Sequence, residues 1–195
     1  MSGRDVLGIA LAYSVGCLCA GYYVVRWRTG TVVRGIGSSI AGARNAGRVL
    51  GRGGFALVLT LDALKGVAAV WAASAIGLGG AALEAVVVAV VAGHVLPVQL
   101  WLRGGKGIAP SIGALLVYDP WIVLVSALVV GLAYLPSGRR LVPSDLTGCA
   151  LAPPTGILLH RSRVELAVLV ALALMILVAH RDNLRAALRP VRATS

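Results

Sequence analysis

Residues 81–102, AALEAVVVAVVAGHVLPVQLWL, run directly into Arg103-Gly104-Gly105-Lys106-Gly107 and from there into a second apolar stretch that begins at Ile108. A helix needs about 20 apolar residues to cross the hydrocarbon core of a bilayer, and 81–102 meets that length. The segment 103–107 is therefore a small, flexible, cationic loop wedged between apolar runs. Glycines let a backbone approach an oxyanion closely with its N–H groups exposed, and the Lys106 ammonium adds a point charge at the same spot. Such a loop beside lipid points to phosphate handling, with Lys106, Gly104, Gly105 and Gly107 as its candidate residues.

The rest of the chain has the same character. Of its 195 residues 58% are hydrophobic and only 13% are charged, which leaves too little polar surface to cover a water-soluble globule. Mean hydropathy is +0.90. The expected class is an all-α integral membrane protein forming one polytopic domain over 1–195. A net charge of +11 sits on this apolar frame, with the basic residues in the gaps between apolar runs. That pattern fits anionic lipid or an anionic substrate; no basic amphipathic helix or aromatic-basic alternation suggests a nucleic-acid partner. Cys17, Cys19 and Cys149 have no partners at metal-ligand spacing and read as packing residues, so no metal, disulfide or cofactor is expected. The apolar run at the start continues past Cys17, which argues against a cleaved leader.

Clear membrane-length segments lie at 6–25, 55–76, 81–102, 141–159 and 164–179. The region 108–135 is divided by Tyr118-Asp119-Pro120, a turn signal, and splitting it there gives about seven spans, some short. The first half is short enough to be a re-entrant or half-helix. With seven spans and the N-terminus outside, Arg26, Arg28, Arg34, Arg44, Arg48, Arg52, Arg103, Lys106, Arg139, Arg140, Arg181, Arg185, Arg189 and Arg192 fall on the cytoplasmic side. Only Arg4, Arg161 and Arg163 fall outside, as the positive-inside rule requires. This topology gathers the segments 34–52, 103–107 and 180–185 on the cytoplasmic face, as loops that form the site.

Each of these segments has two readings on its residues alone. Residues 34–52 combine glycines, hydroxyls, an amide and guanidiniums, which suit a phosphorylated polyol but equally suit anchoring to anionic lipid. Asp62 and Lys65, three apart on a helix inside the second span, are either a structural ion pair or part of a site, since intramembrane charges need partners. His94 is a base, a packing residue or a helix-end residue, with a positioning role preferred. His180 and Asn183 share one helical face and can reach back toward Lys106, or they belong to an ordinary positive flank.

Taken in order, these motifs resemble one family. Gly93-His94-x-x-Pro97 through Gly104-Gly105-Lys106-Gly107 is similar to the central motif of the bacterial membrane glycerol-3-phosphate acyltransferases that use acyl phosphate as donor, the PlsY family. Gly37, Ser38, Gly42, Ala43, Asn45, Arg48, Leu50 and Gly51 fall in register with that family's first signature. Ile40 and Arg44 depart from it, standing where the family usually has Asn and Thr. Asp62-x-x-Lys65-Gly66 and His180-x-x-Asn183 match further family motifs, and Ser144 aligns loosely with a family serine.

The resemblance implies transfer of a fatty acyl group from acyl phosphate to the 1-hydroxyl of sn-glycerol 3-phosphate, giving lysophosphatidate and phosphate at the cytoplasmic face of a bacterial plasma membrane. It implies that Lys106 and the neighbouring glycines hold a phosphate and that Ser38, Asn45 and Arg48 hold the acceptor, with Ser144 near them. His180 and Asn183 would orient the reacting groups, and Asp62, Lys65 and His94 would support the site. Acyl phosphate is already activated, so no covalent nucleophile is needed, and no Ser-His-Asp or His-x4-Asp pattern is present. Two alternatives compete: a diverged paralogue that acylates another polyol phosphate, and a non-catalytic protein that binds anionic lipid. The oligomeric state is not legible.

Overall fold

The computed structural model describes residues 1–30, 40–138 and 141–188. The described residues form nine α-helices and no strand: α1 Gly3–Cys17, α2 Ala20–Thr29, α3 Ala43–Ala75, α4 Gly80–Val95, α5 Ile108–Tyr118, α6 Pro120–Tyr134, α7 Leu141–Leu158, α8 Arg163–Ala179 and α9 Arg181–Leu188. A single 3-10 turn, Val98–Leu100, follows α4.

Three stretches are long and apolar enough to cross a membrane by length and composition: Gly3–Thr29, Ala43–Ala75 and Gly80–Leu100. The chain divides after α5 at Asp119, with Pro120 opening α6. Proline is tolerated there because the first residue of a helix has no use for an N–H, and this is the break the Asp119-Pro120 signal predicts.

Three boundaries differ from the sequence reading, one of them being the third span, expected over 81–102, whose α-helix ends at Val95. The first span is not one helix but two, interrupted between Cys17 and Ala20. Its freed backbone groups are taken up by α3: the Lys65 ammonium donates to the carbonyls of Gly16 (3.0 Å) and Leu18 (2.9 Å), and the Ala20 N–H donates to Asp62 (3.3 Å). The remaining difference is that the segment expected as a loop up to residue 52 is helical from Ala43. At 33 residues α3 is about 50 Å long against a hydrocarbon core of about 30 Å. It is bent at Gly51, whose φ of 70° is open to glycine, so a short first piece is set off from the spanning part.

α4 is the centre of the bundle. It packs on α1, α3, α5 and α8, while α3 packs on α5 and α7 joins α6 to α8. Val86, Val87, Val90 and Val91 of α4 are fully buried together with Ile122, and Leu169 and Leu172 of α8 join them. Lipid supplies no hydrophobic drive between helices, so close backbone approach matters instead. A Cβ on Gly16 would strike the Val90 carbonyl, and one on Gly93 would strike Tyr13; the same holds for Gly66 against Pro110 and Gly113 against Ala63. These pairs are the crossing points of α1 with α4 and of α3 with α5.

Polar contacts define two ends. At one end the Ala41 N–H meets the Gly104 carbonyl and Arg44 meets Asp145. At the other, Arg4 reaches Gly77, Tyr118 reaches Glu84, and Arg161 clasps the buried Asp119 carboxylate with two bonds of 2.7 and 2.8 Å. All four tryptophans are largely exposed. Trp27 and Trp101 sit toward the first end, and Trp71 and Trp121 toward the second, the pattern of aromatic belts at two water–lipid boundaries. Between them an outward surface of leucines, among them Leu57, Leu61, Leu124, Leu128, Leu132 and Leu174, faces the lipid.

Candidate active site

The loop 103–107 is folded back on the end of α4. The Gly104 N–H donates to the Val95 carbonyl (3.2 Å) and the Gly105 N–H to the His94 carbonyl (2.9 Å). A Cβ on Gly104 would collide with the His94 carbonyl and Pro97, and one on Gly105 with the His94 imidazole. These two glycines are thus small because His94 lies against them, and their N–H groups are engaged within the protein. The sequence reading aims those N–H groups at a phosphate; the packing turns them inward instead. What remains on this loop for an anion is Lys106, followed by Gly107 with φ 87° as the N-cap of α5. The first N–H groups of a helix have no intrahelical partners and favour anions, so Lys106 and the start of α5 point the same way.

His94 itself belongs to a buried cluster with the charges of α3. The Lys65 ammonium lies 2.9 Å from the Asp62 carboxylate and 2.8 Å from His94 Nδ1. All three side chains are nearly fully buried. With Cys19 Sγ on the His94 carbonyl and Gln99 on the Cys17 carbonyl, the cluster pins the α1–α2 break to the end of α4. The sequence brings Asp62, Lys65 and His94 forward as supporting residues, and the structure brings them together beneath the glycine loop.

The first turns of α3 contribute the cations that face Lys106. Asn45 is buried; its Nδ2 donates to the Ile40 carbonyl and its Oδ1 accepts from Arg48 Nη1, both at 2.9 Å. Arg44 Nη2 donates to Asp145 Oδ2 at 2.8 Å. Ser38 lies outside the described residues. Partial burial, with the positive charges of Arg44 and Arg48 nearby, lowers the Lys106 pKa to about 8, against a smaller opposing pull from Asp182. Lys106, Arg44, Arg48 and Asp182 therefore share one electrostatic neighbourhood.

His180 caps α8 and is almost wholly buried. Its Nδ1 lies 2.8 Å from the Ile176 carbonyl, and since a carbonyl only accepts, Nδ1 carries the proton. Burial, with Lys106 and Arg44 close by, lowers its pKa to about 4 despite that hydrogen bond. At neutral pH His180 is uncharged and its Nε2 is an acceptor. Asn183 follows one turn later on α9, half-buried. Ser144, fully buried in the first turn of α7, shares a hydrogen bond with Ser137 (3.1 Å).

Beside this polar end lies an apolar cavity of about 300 Å³ between α5, α6, α7 and α8. Ile108, Asp145 and Ile176 line the end toward the loop 103–107, termed its mouth, and Leu115, Ala152 and Leu169 line it two turns further along the same helices, termed its floor. On each of the three helices mouth and floor are seven residues apart, about 10 Å along a helix axis. Ser111 Oγ, buried on the wall, has no hydrogen-bond partner among the described residues. The mouth residues tie the cavity to the site: Asp145 holds Arg44, and Ile176 holds His180.

Asp145 and Ser111 are not among the residues brought forward by the sequence, and Arg44 enters there only as a departure. Asp145 had a signal, because it is the single acid in the apolar run 141–159 and an intramembrane acid needs a partner. Among the described residues no group of His, Cys, Asp and Glu side chains is arranged to hold a metal.

Comparison with known proteins agrees with this architecture along its length. The glycerol-3-phosphate acyltransferase family model matches residues 6–189. Glycerol-3-phosphate acyltransferase 1 of Desulfitobacterium hafniense is 43% identical over 182 residues, covering 93% of this chain and 89% of the relative. The glycerol-3-phosphate acyltransferase of Thermus thermophilus is 37% identical over 177 residues, covering 91% and 88%. Among solved structures, the crystal structure of PlsY (YgiH), an integral membrane glycerol 3-phosphate acyltransferase, in its glycerol 3-phosphate form superposes with a TM-score of 0.87 at 28% identity, covering 95% of this chain and 92% of that one. Its lysophosphatidic acid form gives 0.85 at 27% identity over the same shares. The membrane-spanning helical bundle, the order of its motifs and these likenesses together place the chain in the glycerol-3-phosphate acyltransferase family.

Proposed function

We propose that this protein transfers a fatty acyl group from acyl phosphate to the 1-hydroxyl of sn-glycerol 3-phosphate, releasing phosphate and lysophosphatidate. The observation that carries the proposal is the junction of an apolar cavity with a cationic end: Asp145 lines the mouth and holds Arg44, which shares the neighbourhood of Lys106. An activated acyl donor has that shape, a hydrocarbon tail ending in a phosphate.

In this reading the tail lies between α5 and α8, and its head meets Lys106 and the start of α5. Arg48, oriented by Asn45, holds the acceptor phosphate together with Ser38. The acceptor oxygen forms a bond to the acyl carbonyl carbon, the bond from that carbon to the phosphate oxygen breaks, and the hydroxyl proton passes to the departing phosphate. His180, neutral with Nε2 as acceptor, and Asn183 orient the acceptor hydroxyl. Holding two anions in register lowers the barrier mainly through proximity and electrostatic stabilisation of the developing oxyanion. A chain with the basic residues at this end also fits a bacterial plasma membrane with N-terminus outside and the site cytoplasmic.

The test is product identification by mass spectrometry, using detergent-purified protein with glycerol 3-phosphate and either palmitoyl phosphate or palmitoyl coenzyme A. Lysophosphatidate from the phosphate donor alone supports the proposal. Product from the thioester alone, or acylation of another polyol phosphate in preference, contradicts it.

A further inference from the structure

We propose that Arg44, held by Asp145 across the mouth of the apolar cavity, is a further ligand for the phosphate of the acyl donor, and that Asp145 is its positioning residue. The proposal rests on the acyl-phosphate reading above and deepens it by assigning donor recognition to the Arg44–Asp145 pair.

Three observations meet at this point. First, the start of α3 carries two guanidiniums one turn apart, Arg44 and Arg48, each fixed by a side-chain hydrogen bond. Second, the Arg44 guanidinium is tied to the cavity and not to the acceptor side: Nη2 lies 2.8 Å from Asp145 Oδ2, and Asp145 is a wall residue of the cavity mouth. Arg48, one turn further along α3, leans instead on Asn45. Of the two arginines, Arg44 is thus the one bonded to a residue that lines the cavity. Third, the cavity wall carries Ser111 Oγ, buried and without a hydrogen-bond partner among the described residues, one turn inside Ile108. A purely hydrocarbon occupant would leave it unsatisfied, whereas an acyl chain entering head-last presents its carbonyl near the mouth.

A guanidinium is a planar fork with five donors, and one bond to Asp145 leaves others for a phosphate. Asp145 fixes the fork without neutralising the site, because Arg48, Lys106 and the start of α5 remain. The influence of Arg44 on both Lys106 and His180 is consistent with this placement.

The test measures binding of palmitoyl phosphonate, a hydrolysis-inert donor analogue, and of glycerol 3-phosphate separately, to the full-length protein in detergent. It compares wild type, Arg44→Thr, Arg44→Lys and Asp145→Asn, with thermal unfolding run on each. The expected result is phosphonate affinity lowered about 10- to 100-fold in Arg44→Thr, the loss of a charge-assisted phosphate contact. Arg44→Lys should retain part of that affinity, and Asp145→Asn should weaken it less than Arg44→Thr. Glycerol 3-phosphate affinity should stay unchanged, and every variant should still unfold cooperatively, with the melting temperature of Arg44→Thr lowered because Asp145 loses its partner. A wild type that binds no phosphonate overturns the inference, as does unchanged phosphonate affinity in Arg44→Thr or a loss confined to glycerol 3-phosphate. If wild type binds phosphonate through Arg44 yet forms no lysophosphatidate from palmitoyl phosphate, the transfer reading fails while the inference stands.

Discussion

The Lys65 ammonium lies 2.8 Å from His94 Nδ1, which joins the second membrane segment to the end of the fourth helix directly beneath the glycine loop. Around it Asp62 and the carbonyls of Gly16 and Leu18 complete a shell in which a buried charge is matched on every side. Removing one member of a buried ion pair leaves the other uncompensated, at a cost of about 3–5 kcal/mol, whereas replacing both costs less. Lys65→Met is therefore expected to lower the thermal unfolding temperature in detergent sharply. The double variant Asp62→Leu/Lys65→Met is expected to recover part of the loss.

Gly105 is expected to tolerate no side chain while His94 keeps its place. The Cβ of Gly105→Ala would meet the imidazole, an overpacking that typically costs about 1–3 kcal/mol, and it would displace Lys106 with the loop. Shortening the opposing group should relieve the clash, so Gly105→Ala in a His94→Ala background should cost less than in wild type. A thermodynamic cycle on unfolding and kcat/KM measures this coupling.

Narrowing the cavity at its floor should shorten the preferred acyl chain. Ala152 stands about 10 Å below the mouth, against roughly 15 Å for one leaflet of hydrocarbon, so the distal part of a long acyl chain must continue past it. Ala152→Phe is expected to depress kcat/KM for palmitoyl phosphate about tenfold or more and to leave octanoyl phosphate nearly unaffected. Donor chain-length profiles of the two proteins check this.

The pH profile should show one limb from Lys106. In the proposed function it holds phosphate only when protonated, and with its pKa lowered to about 8, donor binding should fall as pH rises through that value. Arg44 is one of the cations that lower it, so Arg44→Thr should move the alkaline limb upward. His180, lowered to about 4, is neutral well below neutrality and should add no limb there. Folding has the opposite-signed dependence on His180: the unfolded chain binds the proton more readily, so stability should decline as pH falls from 6.5 through about 4.

Much of this architecture is legible in the sequence because lipid imposes simple rules. Apolar runs of spanning length, the Asp119-Pro120 break and the segregation of arginines each follow from composition and position. The split of the first span is not legible, because nothing local to Leu18 and Cys19 breaks a helix; the break is stabilised by Lys65 and Asp62 from a distant segment. Spacing reveals the motif residues but not the use of the glycines. It says that Gly104 and Gly105 lack side chains, and only packing reveals that His94 fills that space. Arg44 and Asp145 are 101 positions apart, so their pairing belongs to tertiary structure alone.

The central claim is that Lys106, at the junction of the cationic end and the apolar cavity, serves acyl transfer from a phosphate donor. The most direct test is phosphate release by the detergent-purified protein from palmitoyl phosphate, with and without glycerol 3-phosphate, for wild type and Lys106→Ala. The account predicts release that depends on the acceptor and is lost in Lys106→Ala while the variant unfolds at the wild-type temperature. Release that persists in Lys106→Ala, or that proceeds equally without acceptor, would contradict it.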